Sequence, residues 1–206
     1  MNLIRAIKSR LELAEETIWD SILGIDTLRC QEKIYTQGMN GDAFRYQAKC
    51  YYWIWRHLQP LGLGPSDVFH DIGAGTGRLL CVAALSSVRK CVGIELSQEL
   101  CVVAQENAQR LRFRHAPIVV VREDAALADY SEGTVFALFN PFGAQTVEAV
   151  LERICENVSK NPRRVRFMYV NPTARQLFDG ADWLHLVAER QIAGSPLCCC
   201  YYENRR

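Results

Sequence analysis

The 206-residue chain has almost no net charge: 24 Lys and Arg against 23 Asp and Glu leave +1. That balance excludes a global basic field, so a nucleic-acid partner is not implied by charge. No apolar run reaches the length of a membrane span. The start, Met1-Asn2-Leu3-Ile4-Arg5, has no continuous apolar core and does not read as a signal peptide. Internal repeats, low-complexity tracts and a second domain are missing, which leaves one globular domain long enough for a sizeable core. Among nine cysteines there is no Cys-x-x-Cys pair. Cys81, Cys91 and Cys101 fall in apolar segments, where a free thiol behaves as a small hydrophobe. The pattern fits a reducing, cytoplasmic location. Consecutive strand residues point to alternate faces, so Cys198-Cys199-Cys200 is not expected to converge on a metal, and no metal site is expected. No Cys/His or Ser/His pair calls for a covalent intermediate, and no general base is evident.

What is present centres on Val68-Phe69-His70-Asp71-Ile72-Gly73-Ala74-Gly75-Thr76-Gly77. Val68 to Ile72 reads as a strand, the three glycines as a tight turn, and Leu79 to Leu85 as a helix. Such a helix start aims free N–H groups and a positive dipole end at whatever lies in the turn. This is a nucleotide-type site. The spacing is Gly-x-Gly-x-Gly, one residue short of the dinucleotide fingerprint, and Asp71 closes the strand. An acid is unfavourable beside a pyrophosphate and suits a ligand with a sulfonium and an amino group. The residues therefore favour S-adenosylmethionine (SAM) over NAD. Glu95 ends the next strand about twenty residues past the glycines, where a carboxylate can accept from both ribose hydroxyls.

Asp71-Ile72-Gly73-Ala74-Gly75-Thr76-Gly77 resembles motif I of the class I SAM-dependent methyltransferases. The likeness extends through Gly24-Ile25-Asp26-Thr27, the Tyr46 region, Gly93-Ile94-Glu95-Leu96-Ser97, Asn140-Pro141-Phe142-Gly143 and Tyr169-Val170-Asn171-Pro172. That pattern is similar to small bacterial class I methyltransferases of undefined substrate and covers most of the chain. From Asp67 to Asn140 the core is also similar to the seven-strand histone-lysine methyltransferases that lack a SET domain. The resemblance implies SAM as cofactor and S-adenosylhomocysteine as product. It assigns cofactor contacts to Asp71, Gly73, Ala74, Gly75, Thr76, Gly77, Glu95 and Leu96. It gives Asp124, with Ala125 beside it, the adenine amino group, with Glu123 as rival. Asn140 would face the methyl group and orient an acceptor amine, although Phe142 and Gly143 depart from the usual Pro and aromatic. Tyr35 and Tyr46 are candidates for a lid over the site.

Upstream, Leu3, Ile4, Ile7, Leu11, Ala14, Ile18 and Ile22 recur at helical spacing. This amphipathic helix is expected to pack on the core or on a second subunit, which makes a homodimer through it an option. Ile118-Val119-Val120-Val121 reads as a buried strand, and Arg110, Arg112, Arg114 and His115 before it as a solvated basic loop. His185 to Ile192 and Leu197 to Tyr202 read as an antiparallel pair.

The expected fold is α/β: a Rossmann-like, seven-stranded, mostly parallel sheet with helices on both faces. Residues 1–60 form an N-terminal helical lid within the same domain, and residues 61–206 the SAM-binding methyltransferase domain. The expected activity is methyl transfer to a nucleophile, leaning to an amine of a protein lysine or a small molecule. An O-methyltransferase, a non-catalytic SAM-binding subunit and, less well matched, an NAD oxidoreductase are the alternatives.

Overall fold

A computed structural model describes residues 2–29, 50–139, 141–191 and 197–205, without the side chains of residues 2–6, 8 and 9. Seven strands form one sheet: β1 (Val68–Ile72), β2 (Lys90–Glu95), β3 (Ile118–Arg122), β4 (Val135–Phe139), β5 (Arg166–Val170), β6 (Leu184–Gln191) and β7 (Cys198–Asn204). Their order is β3-β2-β1-β4-β5-β7-β6. β7 pairs antiparallel with both β5 and β6, and the pairings among β1 to β5 are parallel. The strand order reverses between β1 and β4, so the carboxyl ends of these strands flank the crevice where open α/β sheets bind ligands.

Strand alternation gives the sheet two apolar faces. On one, Phe69, Cys91, Ala137, Met168 and Tyr201 pack with α2 (Tyr51–Leu58), α3 (Arg78–Ala83) and the end of α1 (Asn2–Leu23). On the other, Val68, Ile72, Ile94, Leu138, Phe167 and Tyr202 pack with α5 (Ala144–Lys160) and α6 (Arg175–Asp179). α4 (Gln98–Arg110) lies against β2 and β3. Ser97 caps it, the hydroxyl accepting from the Leu100 N–H at 3.4 Å. Cys81, Cys91 and Cys101 are core residues, and the described cysteines are free thiols. No helix among the described residues is long and apolar enough to cross a membrane.

One expectation changes and another narrows. Ile118 to Val121 is an edge strand rather than a buried one, with Val119 42% and Val121 36% exposed, because β3 has a neighbour on one side only. The amphipathic α1 turns its apolar stripe outward: Ile7, Leu11, Ile18 and Ile22 are all exposed. Its acidic side faces the protein. Glu15 accepts from the free N–H groups of Tyr51 and Tyr52 at 3.1 and 2.8 Å, which caps the start of α2. Asp20 accepts from the Thr27 N–H at 2.7 Å and from the Tyr51 hydroxyl. α1 is therefore held by these polar anchors together with Trp19 and Leu23, which pack at the core, while the outward stripe of Ile7, Leu11, Ile18 and Ile22 is exposed.

Candidate active site

Two of the loop's three glycines sit where contacts leave no room for a side chain, and all three have left-handed backbone. Gly73, Gly75 and Gly77 have φ of 80°, 57° and 82°, the left-handed region that only glycine enters at low cost. A Cβ on Gly73 would stand 2.4 Å from Pro141 Cβ, and one on Gly77 3.2 Å from Ala104 Cβ. The first glycine thus lets the loop after β4 approach, and the third lets α4 approach. The Gly73 and Ala74 N–H groups both donate to the Ile94 carbonyl at 2.9 Å, fixing the loop to the end of β2.

Two buried acids border this loop. Asp71, at the end of β1, is 2% exposed, and its Oδ2 has no hydrogen-bond partner. Burial, together with the nearby charge of Glu95, pushes its pKa up to about 7; the Leu80 N–H pulls the other way. Glu95, at the end of β2, is 8% exposed. Its Oε2 accepts from the Gly75 N–H and its Oε1 from the Ser97 N–H, both at 2.8 Å. Burial raises its pKa, and these N–H groups lower it. Each carboxylate oxygen keeps a second lone-pair direction for a ligand donor. Leu96, next in the chain, is half-buried. The Glu123 N–H donates to the Glu95 carbonyl at 3.1 Å, which joins the ends of β2 and β3. Just beyond, Asp124 is half-buried and its Oδ1 accepts from the Ala126 N–H at 2.9 Å. Ala125 is buried, and its carbonyl accepts from the Tyr130 hydroxyl at 2.7 Å.

The structure thus gathers Asp71, the glycine loop and Glu95 at one end of the sheet, with Asp124 and Ala125 following β3 at the same end. Thr76 differs from the others: its hydroxyl donates to the Thr27 carbonyl at 3.1 Å, toward the N-terminal segment. Tyr35, Tyr46 and Asn140 lie outside the described residues. The neighbours of Asn140 are described. Pro141 leans on Gly73, and Phe142 is buried in the α5 face of the core.

Arg78 is the residue that sequence reading missed. It opens α3 directly after Gly77, is 2% exposed, and pairs with Glu16 of α1 at 3.1 Å. Its Nε donates to Thr27 Oγ1 at 2.7 Å, and its guanidinium lies 5.2 Å from the Tyr51 ring centroid. Asn107 of α4 completes the connection. Its side chain accepts from the Asp26 N–H at 2.8 Å and donates to the carbonyls of Asp26 and Thr76 at 3.2 and 2.9 Å. The Gly24-Ile25-Asp26-Thr27 pattern is therefore a strap that α3 and α4 fasten to the back of the glycine loop. The sequence signal for the strap is the Gly24-Ile25-Asp26-Thr27 pattern itself.

Comparison with known proteins agrees with this geometry. Residues 40–127, from before α2 to just past Ala125, match the family described as histone methylation protein DOT1. A Caenorhabditis elegans histone-lysine N-methyltransferase, H3 lysine-79 specific, is 48% identical over 52 residues, which make up 25% of this chain and 6% of that protein. The chain thus spans a small part of the curated relative it matches. Among solved structures, an RNA methyltransferase from Salinibacter ruber in complex with S-adenosyl-L-homocysteine superposes with a TM-score of 0.58 at 21% identity, over 77% of this chain and 94% of that one. A ribosomal protein L11 methylase from Lactobacillus delbrueckii subsp. bulgaricus gives 0.56 at 13% identity, over 75% and 78%. A TehB-like SAM-dependent methyltransferase from Corynebacterium glutamicum gives 0.53 at 16%, over 77% and 90%. The chain has the seven-stranded class I methyltransferase fold, and the part of it that builds the glycine loop carries the sequence pattern of the DOT1 family.

Proposed function

We propose that this protein is a SAM-dependent methyltransferase whose acceptor is an amine, in the first instance a lysine side chain of a protein. The observation that carries the reading is the unpartnered Asp71 Oδ2, buried at the end of β1 beside a loop that only glycines can form. A buried carboxylate with an unused oxygen suits a ligand that brings a positive charge and N–H donors. When bound, SAM would supply an electrophilic methyl group on a sulfonium. The chain's part is to bind and align. Asp71 would accept from the amino-acid ammonium, Glu95 from the ribose hydroxyls, and Asp124 with the Ala125 backbone would hold the adenine edge. Ala74 and Leu96 would shape the pocket, and Thr76 would hold the loop on the Thr27 strap.

Asn140, the residue that follows β4 in the chain, would orient the acceptor nitrogen. Tyr35 and Tyr46, in the segment before the glycine loop, would cover the site. Residues 1–60 would act as this cover within one domain with 61–206. The lysine-directed reading is supported by the family match and by the H3 lysine-79-specific relative, whose shared segment covers only part of each protein. A small-molecule acceptor is the competing case. A reducing intracellular compartment is in keeping with the free described cysteines. The outward apolar stripe of α1 supports self-association: Ile7, Leu11 and Ile18 follow a 3.5-residue rhythm suited to a second copy of the same helix.

The test is single-turnover transfer of a radiolabelled methyl group to histone octamers and to small amines, in wild type and Asn140→Ala. SAM affinity is measured alongside by titration. The expected result is transfer to protein lysine, with the rate lowered on the order of 10²-fold in the variant at near-unchanged affinity. Transfer only to small molecules would refute the protein acceptor. Affinity and rate collapsing together would make Asn140 a cofactor or structural residue.

A further inference from the structure

One cluster of chemically active side chains takes no part in the site described above. Cys198 and Cys200 are two residues apart on β7, so they share a sheet face, while Cys199 points into the core on the opposite face. The alternation that argued against a metal removes only the middle cysteine. Across the ladder, Glu189 of β6 stands opposite Cys200. The two sulfurs and a Glu189 carboxylate oxygen all lie within 4.8 Å of one another. Around a tetrahedral zinc ion, with Zn–S near 2.3 Å and Zn–O near 2.1 Å, donor atoms sit roughly 3.5–3.8 Å apart. Small side-chain rotations bring the three atoms to that spacing. Cys200 is buried, Cys198 half-buried and Glu189 at the rim, so the position is closed beneath and open on one side.

The surroundings support a ligand role for the carboxylate. Arg175 donates through Nη1 to Glu189 Oε2 at 2.8 Å and through Nε to Asp179 Oδ2 at 2.9 Å. Asp179 in turn accepts from the Tyr202 hydroxyl at 2.8 Å. One Glu189 oxygen is thus fixed from outside by a held guanidinium, the kind of partner that orients a metal-bound carboxylate. Two sulfur donors select a borderline-soft cation over magnesium or calcium.

We propose that Glu189, Cys198 and Cys200 form a three-ligand site for zinc(II). The site would clamp the end of β6 to the start of β7. There the Asn171 N–H, just past β5, donates to the Cys198 carbonyl at 2.8 Å, so the clamp stands at the same carboxyl edge of the sheet as the candidate active site. Its chemistry is independent of the methyltransferase reading.

The experiment titrates the reduced, full-length protein with cobalt(II) and follows the thiolate-to-cobalt charge-transfer band and the intense visible bands of tetrahedral cobalt. Zinc(II) is then added to displace the cobalt. One equivalent of cobalt should bind, zinc should abolish the bands, and saturating zinc should raise Tm by roughly 5–10 °C at 100-fold excess over Kd. Cys198→Ser should lose the bands and the Tm rise, Glu189→Gln should weaken binding at least 10-fold, and Cys199→Ser should retain both signals. Absence of the bands would overturn the site, as would equal binding by Cys198→Ser or equal loss in Cys199→Ser. Cys198 is half-buried, so its serine variant tests the ligand set even if a substitution at buried Cys200 fails to fold. Recovery of Cys198 and Cys200 as a disulfide, with no cobalt bound after reduction, would make the pair a redox couple instead.

Discussion

Asp71→Asn should make the ligand-free protein more stable at high pH while removing its response to SAM. The reason lies in the burial of an acid whose Oδ2 has no partner. A carboxyl whose pKa rises from the ordinary 3.8 to about 7 on folding opposes folding when it is charged. The sign follows from proton binding. Below pH 3.8 the group is protonated in both states and costs nothing. As pH rises from there to about 7, the unfolded chain loses its proton first and stability falls; above 7 the loss is complete. At pH 8 the full cost is about 4 kcal/mol, and at pH 5 about 1–2 kcal/mol, from roughly 1.4 kcal/mol per tenfold.

Asparagine keeps the shape and an oxygen for the Leu80 N–H, but buries an amide N–H₂ in place of Oδ2, at about 1–3 kcal/mol. That amide cost does not change with pH. The stability gap between variant and wild type should therefore move in favour of the variant by about 2–3 kcal/mol between pH 5 and pH 8. Urea unfolding at both pH values measures the gap. In parallel, saturating SAM should raise the Tm of wild type and leave that of the variant almost unmoved. A gap that is constant with pH would refute the buried, uncompensated charge. A SAM response equal to wild type would remove Asp71 from the ligand site.

Other substitutions test the remaining parts. Glu95→Ala removes the acceptor for the Gly75 and Ser97 N–H groups as well as the ribose acceptor, so calorimetric titration should show SAM affinity lower by at least 10-fold; wild-type affinity would clear Glu95 of the role. Arg78→Met strands Glu16 without its cation and should cost about 3 kcal/mol in urea unfolding, with a loss under 1 kcal/mol counting against the strap as a stability element. Ile18→Glu should leave the fold intact and convert a dimer to a monomer in sedimentation velocity, whereas a wild type that is already monomeric would dispose of the helix-pairing reading.

The centre of the fold was legible because its signals are local. Five apolar-rich residues, three glycines at fixed spacing and an acid twenty residues on define β1, the loop and Glu95 without reference to anything distant. What was misread depends on neighbours. Four consecutive apolar residues make Ile118 to Val121 look interior, but only the strand order shows β3 at the edge, and a continuous apolar run is the same in either place. In α1 the periodicity marks the apolar stripe but not its partner: of the core and a second subunit, the core is the one the outward stripe does not meet. A hydrophobic stripe shows which residues share a face, while the side that packs is decided by the available partners. Here those are the free N–H groups of Tyr51 and Tyr52 for Glu15 and the guanidinium of Arg78 for Glu16.

The N-terminal segment is part of the fold: it places Leu23 and Ile25 in the core and supplies Glu16 and Thr27 to the buried Arg78. Because Arg78 follows Gly77 directly and Thr76 bonds to Thr27, the strap and the glycine loop share one hydrogen-bonded unit. Order in the loop and order in the N-terminal segment are therefore linked. On the proposed reading, a ligand that orders the loop would act on residues 24–27 through the Thr76 and Arg78 bonds to Thr27. The residues that fasten the strap to the glycine loop thus come from α1, α3 and α4 as well as from the loop itself.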